Sequence, residues 1–110
     1  MPATLALDEL DKLAGIDDST PTFNAALGNS FKITLGQNIS PSITNGQAGQ
    51  IITILFCQDG TGGRSVTSWP TNLKLAGGSF NLTSAANKCD VLTAIYDGTN
   101  WYEVARAINE

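Results

Sequence analysis

From Phe31 onward the chain repeats short stretches in which apolar and polar residues alternate, each closed by glycine, proline or asparagine. "FKITLG" puts Phe31, Ile33 and Leu35 on one face and Lys32 and Thr34 on the other, the period of a half-buried strand. "NISPSI" follows, and Pro41 makes it an edge or irregular strand. "GQIITILFC" (49–57) is apolar on both faces, with Ile52, Ile54 and Phe56 opposite Ile51, Leu55 and Cys57, so it reads as a central strand covered on both sides. "RSVTSW" (64–69), "NLKLA" (72–76) and "SFNLT" (79–83) are further candidates, separated by Pro70 and Gly77-Gly78. "DVLTAIYD" (90–97) turns through "GTN" into "WYEVARAI" (101–108). Strands at this spacing predict an all-β fold, a β-sandwich or jelly-roll-like domain over 30–110.

Ahead of it the period changes. In "TLALDELDKLA" (4–14), Leu7, Leu10 and Leu13 recur at helical spacing, Thr4 can cap the N-terminus, acids crowd the first turns and Gly15 can end the helix. Three turns are marginal alone in water, so this helix needs a surface to lie on. With "GIDDSTPTFNAALGNS" (15–30) read as a turn-rich connector, residues 1–29 form a short helical arm.

At 110 residues the chain is one domain. Charged residues make up only 15%, against about 25% in an ordinary soluble chain, which suits a β domain that hides surface in an assembly. The net charge of −4 lies in residues 1–18, where Asp8, Glu9, Asp11, Asp17 and Asp18 face Lys12; the remainder balances. No basic patch points to nucleic acid, and no apolar run approaches the length of a membrane span. Cys57 and Cys89, both in apolar strand contexts, read as buried free thiols, with a disulfide between them as the alternative.

The stretch with the strongest look of chemistry is "FCQDGTGGRSVTSWP" (56–70), a glycine-rich loop followed by Arg64. A phosphate loop needs Lys and then Ser or Thr opening a helix, whereas Arg64 is followed by β-forming residues. The loop therefore reads as a hairpin turn, with Arg64 pairing to an acid or reaching a neighbouring chain. No histidine is present, which removes the commonest general base. Asp90 and Asp97 stand at opposite ends of one strand, about 23 Å apart at strand rise, too far for a carboxylate pair. No catalytic residue, metal site or cofactor is expected. Trp69, Tyr96, Trp101 and Tyr102 fill a core or form a sugar platform; Trp101 and Tyr102 are adjacent in a strand and must point to opposite faces.

Gly49-Gln50, Gln58-Asp59, Gly62-Gly63-Arg64, Trp69-Pro70, Asn87-Lys88-Cys89-Asp90 and Tyr96 to Trp101, with the upstream "GNSFKITLGQNIS", together resemble a module frequent in tailed-bacteriophage virion proteins of the tail-fibre and surface-appendage class. The resemblance spans about residues 29–105. It departs in an extra residue in "VTSWP", which suggests a bulge near Trp69, and in cysteines where aliphatics are usual. It implies a non-enzymatic, homotrimeric β domain exposed on a virion. A free-standing chain of this size is expected to be a cement or decoration protein on the outer capsid surface, bound to the major capsid protein through the arm. The alternative is a tail-fibre domain that recognises a host-surface glycan. The candidate interaction residues are Leu7, Leu10, Leu13, Arg64, Trp69 and Trp101.

Overall fold

A computed structural model describes residues 19–110. The helix expected over 4–14, with Leu7, Leu10 and Leu13, lies outside the described residues. The described chain is almost entirely β, with curled sheets that form a half-barrel. Its strands are β1 (Thr22–Asn24), β2 (Ser30–Leu35), β3 (Ser42–Thr44), β4 (Ile51–Gln58), β5 (Leu73–Lys74), β6 (Cys89–Tyr96) and β7 (Trp101–Ala107). β1 and β3 pair in parallel as a small sheet, and the large sheet runs β2-β4-β6-β7-β5. The first four strands thus alternate between sheets, so each crossover carries the chain over the core.

The alternation read in "FKITLG" appears as written: Phe31, Ile33 and Leu35 are buried. They meet Ile52, Ile54 and Phe56 of β4 and Leu92 and Ala94 of β6 on the concave face. Phe23 of β1 closes over them, its ring 5.5 Å from Phe31 and 6.1 Å from Phe56. The stretch read as a connector therefore contributes a strand and a core residue. A single buried aromatic between turn residues carries too little periodicity to reveal a three-residue strand.

β4 is central in hydrogen bonding, between β2 and β6, but its second face is covered only at the Cys57 end. Ile51 stays 51% exposed and Leu55 is half-buried, which corrects the expectation of a fully doubly covered strand. "RSVTSW" and "SFNLT" are not strands. The first makes only an isolated bridge, Ile39 to Val66, because Ser65 and Thr67 bond to Ile39 and Pro70 then removes a donor. In the second, the Thr83 N–H turns to a side chain, Asp90, rather than a ladder. No bulge forms near Trp69. The irregularity lies instead at Thr93/Ala94 opposite β7.

That bulge has a structural use. Glu103 and Arg106 are three apart and would face opposite sides of a regular strand, but the extra residue turns both toward the concave face. Glu103, with a side chain only 2% exposed, accepts from both Nε and Nη2 of Arg106 and from the Ala76 N–H at 2.8 Å. Arg106 also donates to the Ser79 carbonyl at 2.9 Å and lies 4.4 Å over the Phe80 ring. Together they fasten the 76–80 segment to β7. These hydrogen bonds to Arg106, then the Ala76 N–H and the guanidinium charge, hold the Glu103 carboxyl below its ordinary value of 4.5 against desolvation. A depressed folded-state pKa gives stabilisation that is complete above the unfolded value and lost as pH falls through the folded one. Glu103→Gln should therefore be less stable than the parent at neutral pH, and should lose less stability between about pH 5 and pH 3. Urea midpoints measured across that window test this, and parallel curves would refute it.

Cys57 and Cys89 are cross-strand partners of β4 and β6, with Cα atoms 4.0 Å apart, and they form a disulfide. This corrects the expectation of free thiols. The decisive quantity is the register between strands 32 residues apart in sequence, which local context does not contain.

Candidate functional site

In the glycine loop after β4 the N–H groups of Thr61 to Arg64 are engaged within the protein and are not turned outward as a phosphate cradle. Asp59 Oδ1 accepts from Thr61 N and Gly62 N, both at 3.0 Å; Gly63 N donates to the Ser84 carbonyl at 2.7 Å, and Arg64 N to Gln58 Oε1 at 3.0 Å. The Gly62 N–H, followed by Thr61 and Arg64, lowers the Asp59 pKa against partial desolvation. Arg64 Nη2 lies 3.3 Å from Asp59 Oδ2, so the arginine pairs with an acid, as one reading of the sequence expected. No strand follows, so the loop is a clasp rather than a hairpin turn. At Gly62 (φ +73°) a Cβ would stand 2.6 Å from the Ser84 carbonyl oxygen and 2.8 Å from Ala86 N, so only glycine fits.

Two buried polar residues hold this end of the barrel. Gln58, 4% exposed, donates from Nε2 to the carbonyls of Arg64 (2.7 Å) and Thr83 (2.9 Å) while its Oε1 accepts from Arg64 N. Asp90, 1% exposed, accepts from the N–H and hydroxyl of Thr83 and from Asn109 N at 2.9 Å. Both are structural pins with no open face. Asp97, at the β6–β7 turn, likewise accepts from Asn100 N (2.7 Å) and Thr99 N (2.8 Å), which lower its pKa in that order.

Trp101 is 1% exposed and stacks on Tyr96 with centroids 4.6 Å apart, so it offers no platform to a ligand. Tyr102 next to it is 41% exposed, as the strand period requires. Trp69 is half-buried, 5.4 Å from Phe56 and 5.7 Å from Phe80, and caps the core. The structure therefore does not join Arg64, Trp69 and Trp101 into one site.

Two surfaces have the character of recognition sites. One is the convex face of β4, β6 and β7, where Ile51, Ile95 and Tyr102 stand in register across three strands, with Leu55 and Val91 beyond and Val104 56% exposed. The other is an open cleft of about 390 Å³ between the segments after β1 and β3, lined by Asn29, Asn45, Gln47 and Gln50 and by three alanines. Beneath it, Gly46 lies so close to the Trp101–Tyr96 stack that a Cβ would stand 2.5 Å from Trp101 Cζ2. Gly46→Ala is expected to cost about 1–3 kcal/mol by overpacking, read as a lower urea midpoint; an unchanged midpoint would refute the close approach. The cleft went unseen in the sequence because "NGQAGQ" looks like any turn. Only the approach of 25–29 makes it concave.

The family described as "Putative phage tail fibre C-terminal domain" matches residues 17–101. The chain belongs to this family. The match takes in every strand of the tail fibre domain from β1 to the first residue of β7. No curated protein and no solved structure matches the chain significantly. Membership makes the tail fibre domain a phage structural module of the virion, in agreement with the coarse reading of the sequence motifs.

Proposed function

We propose that this chain is a non-enzymatic, receptor-binding domain of a phage tail fibre, self-associated as a trimer, that recognises a glycan on the host surface. The observation that carries the reading is the family match over residues 17–101, which favours the tail over the outer capsid surface; a host glycan is the partner we propose for that location. Self-association is supported by β4. Its sequence is apolar on both faces, yet one face is left open beside the exposed Tyr102 and Val104, and a second copy of the chain would cover it. In this reading Arg64, Trp69 and Trp101 support the domain from within.

Copy number per virion, by quantitative mass spectrometry against the major capsid protein, tests the location. A handful of copies is expected; hundreds at a fixed ratio to the shell subunit would return the chain to a cement role. Light scattering of the purified chain is expected to give three times its 11.5 kDa mass, and Val104→Asp is expected to shift that toward one. A monomeric parent would sink the trimer.

A further inference from the structure

We infer that the amide-lined cleft between residues 25–29 and 45–50 binds an uncharged saccharide. This rests on the receptor-binding reading above and supplies it with a site. The polar side chains in the lining are all carboxamides, and none is charged. A carboxamide carries donors and an acceptor in one plane, which suits sugar hydroxyls, each of which both gives and accepts a hydrogen bond. A saccharide bearing a carboxylate would find no cation in this lining to offset its desolvation.

The four amides divide into scaffold and free groups. Gln50 is scaffold: its Nε2 donates to the Ala25 carbonyl (2.7 Å) and to Asn29 Oδ1 (2.8 Å), and its Oε1 accepts from Gln47 N (3.0 Å). Asn45 is held by donating from Nδ2 to Asn24 Oδ1 at 3.0 Å, in a left-handed backbone conformation (φ 59°) that asparagine tolerates. These bonds leave Asn29 Nδ2, Asn45 Oδ1 and the whole Gln47 side-chain amide without a partner among the described residues. The cleft is thus set before a ligand arrives, which lowers the ordering cost of binding. Of its three alanines Ala25 is buried, so Ala26 and Ala48 supply the small apolar contact and hydrogen bonds to hydroxyls supply the rest. A protein partner would instead need a pocket for an aromatic or arginine anchor, and the lining has none.

The test is a titration of the ¹⁵N-labelled full chain with glucose, galactose, mannose and N-acetylglucosamine, with sialic acid as the charged control, followed by ¹H–¹⁵N correlation spectra. At least one neutral sugar is expected to give saturable shifts of the side-chain NH₂ signals of Asn29, Asn45 and Gln47, and sialic acid none. Two variants locate the effect without disturbing the scaffold. Gln47→Ala removes only a side chain whose backbone N–H remains bonded to Gln50. Asn29→Asp keeps the acceptor for Gln50 and loses the free donor. Each is expected to weaken binding about three- to tenfold, with backbone signals elsewhere unchanged. Saturable shifts at other residues, tighter binding of sialic acid, or unaltered affinity in both variants would overturn the assignment. So would the absence of saturation by any neutral sugar up to tens of millimolar. A tail-range copy number beside such a negative result would leave the tail-fibre reading standing and remove the cleft alone.

Discussion

Reducing the Cys57–Cys89 disulfide is expected to lower the unfolding free energy by about 4 kcal/mol. The bond joins residues 32 apart, and releasing a loop of that length restores roughly this much chain entropy to the unfolded state. For a domain of this size the melting temperature should fall by on the order of 15 °C. Calorimetry with and without reductant, beside the Cys57→Ala/Cys89→Ala double variant, measures it. The two experiments should agree, because both remove the same constraint on the unfolded chain. A melting temperature insensitive to reductant and equal to that of the double variant would mean that the thiols are not bonded in solution. The bond sits next to both buried pins, Gln58 and Asp90, so its loss should also loosen the clasp between the glycine loop and residues 83–88.

Gln58→Leu is expected to cost about 3–5 kcal/mol although leucine has nearly the same volume. The substitution would leave three backbone groups, Arg64 N, Arg64 O and Thr83 O, without the partner they have at 2.7–3.0 Å. Each unmatched buried group costs about 1–3 kcal/mol, and the total is moderated where the loop can open to water. The diagnostic is the pairing of two observations: a lower urea midpoint at an unchanged m-value, and fast hydrogen exchange at the Arg64 amide. A variant that keeps both the parent midpoint and slow exchange at Arg64 would show that Gln58 does not hold the loop. Because Gln58 lies on the buried side of β4, opposite the convex face, oligomeric state should be retained under conditions where the variant is folded.

The all-β class and six of the seven strands were legible in the residues themselves, β3 within "NISPSI" and β5 within "NLKLA". Alternation in "FKITLG", the long apolar run before Cys57, and the pair of runs around Asp97 each carry enough period-2 signal to mark a strand. That the glycine loop lacks the Lys and the helix-opening Ser or Thr of a phosphate loop needed no coordinates either. Only β1 resisted, because three residues are too few for a period to show; β3 and β5, with three and two residues, are shorter than the runs read for them, because pairing with β1 and β7 decides how far each extends.

What the tertiary structure decided were the properties that depend on which distant residues meet. Register brought Cys57 opposite Cys89, a bulge placed Glu103 and Arg106 on one face, and the packing of Trp101 on Tyr96 removed it as a binding platform. "RSVTSW" has strand propensity but no neighbour with a full row of free donors and acceptors, so it stays a single bridge. The amide cleft belongs to the same class, because two turns separated by about twenty residues form a concave surface only when parallel pairing of β1 with β3 sets them side by side. Local sequence determines which face of each strand is apolar; the pairing of strands determines which of those faces is covered, and therefore which surface is left for a partner.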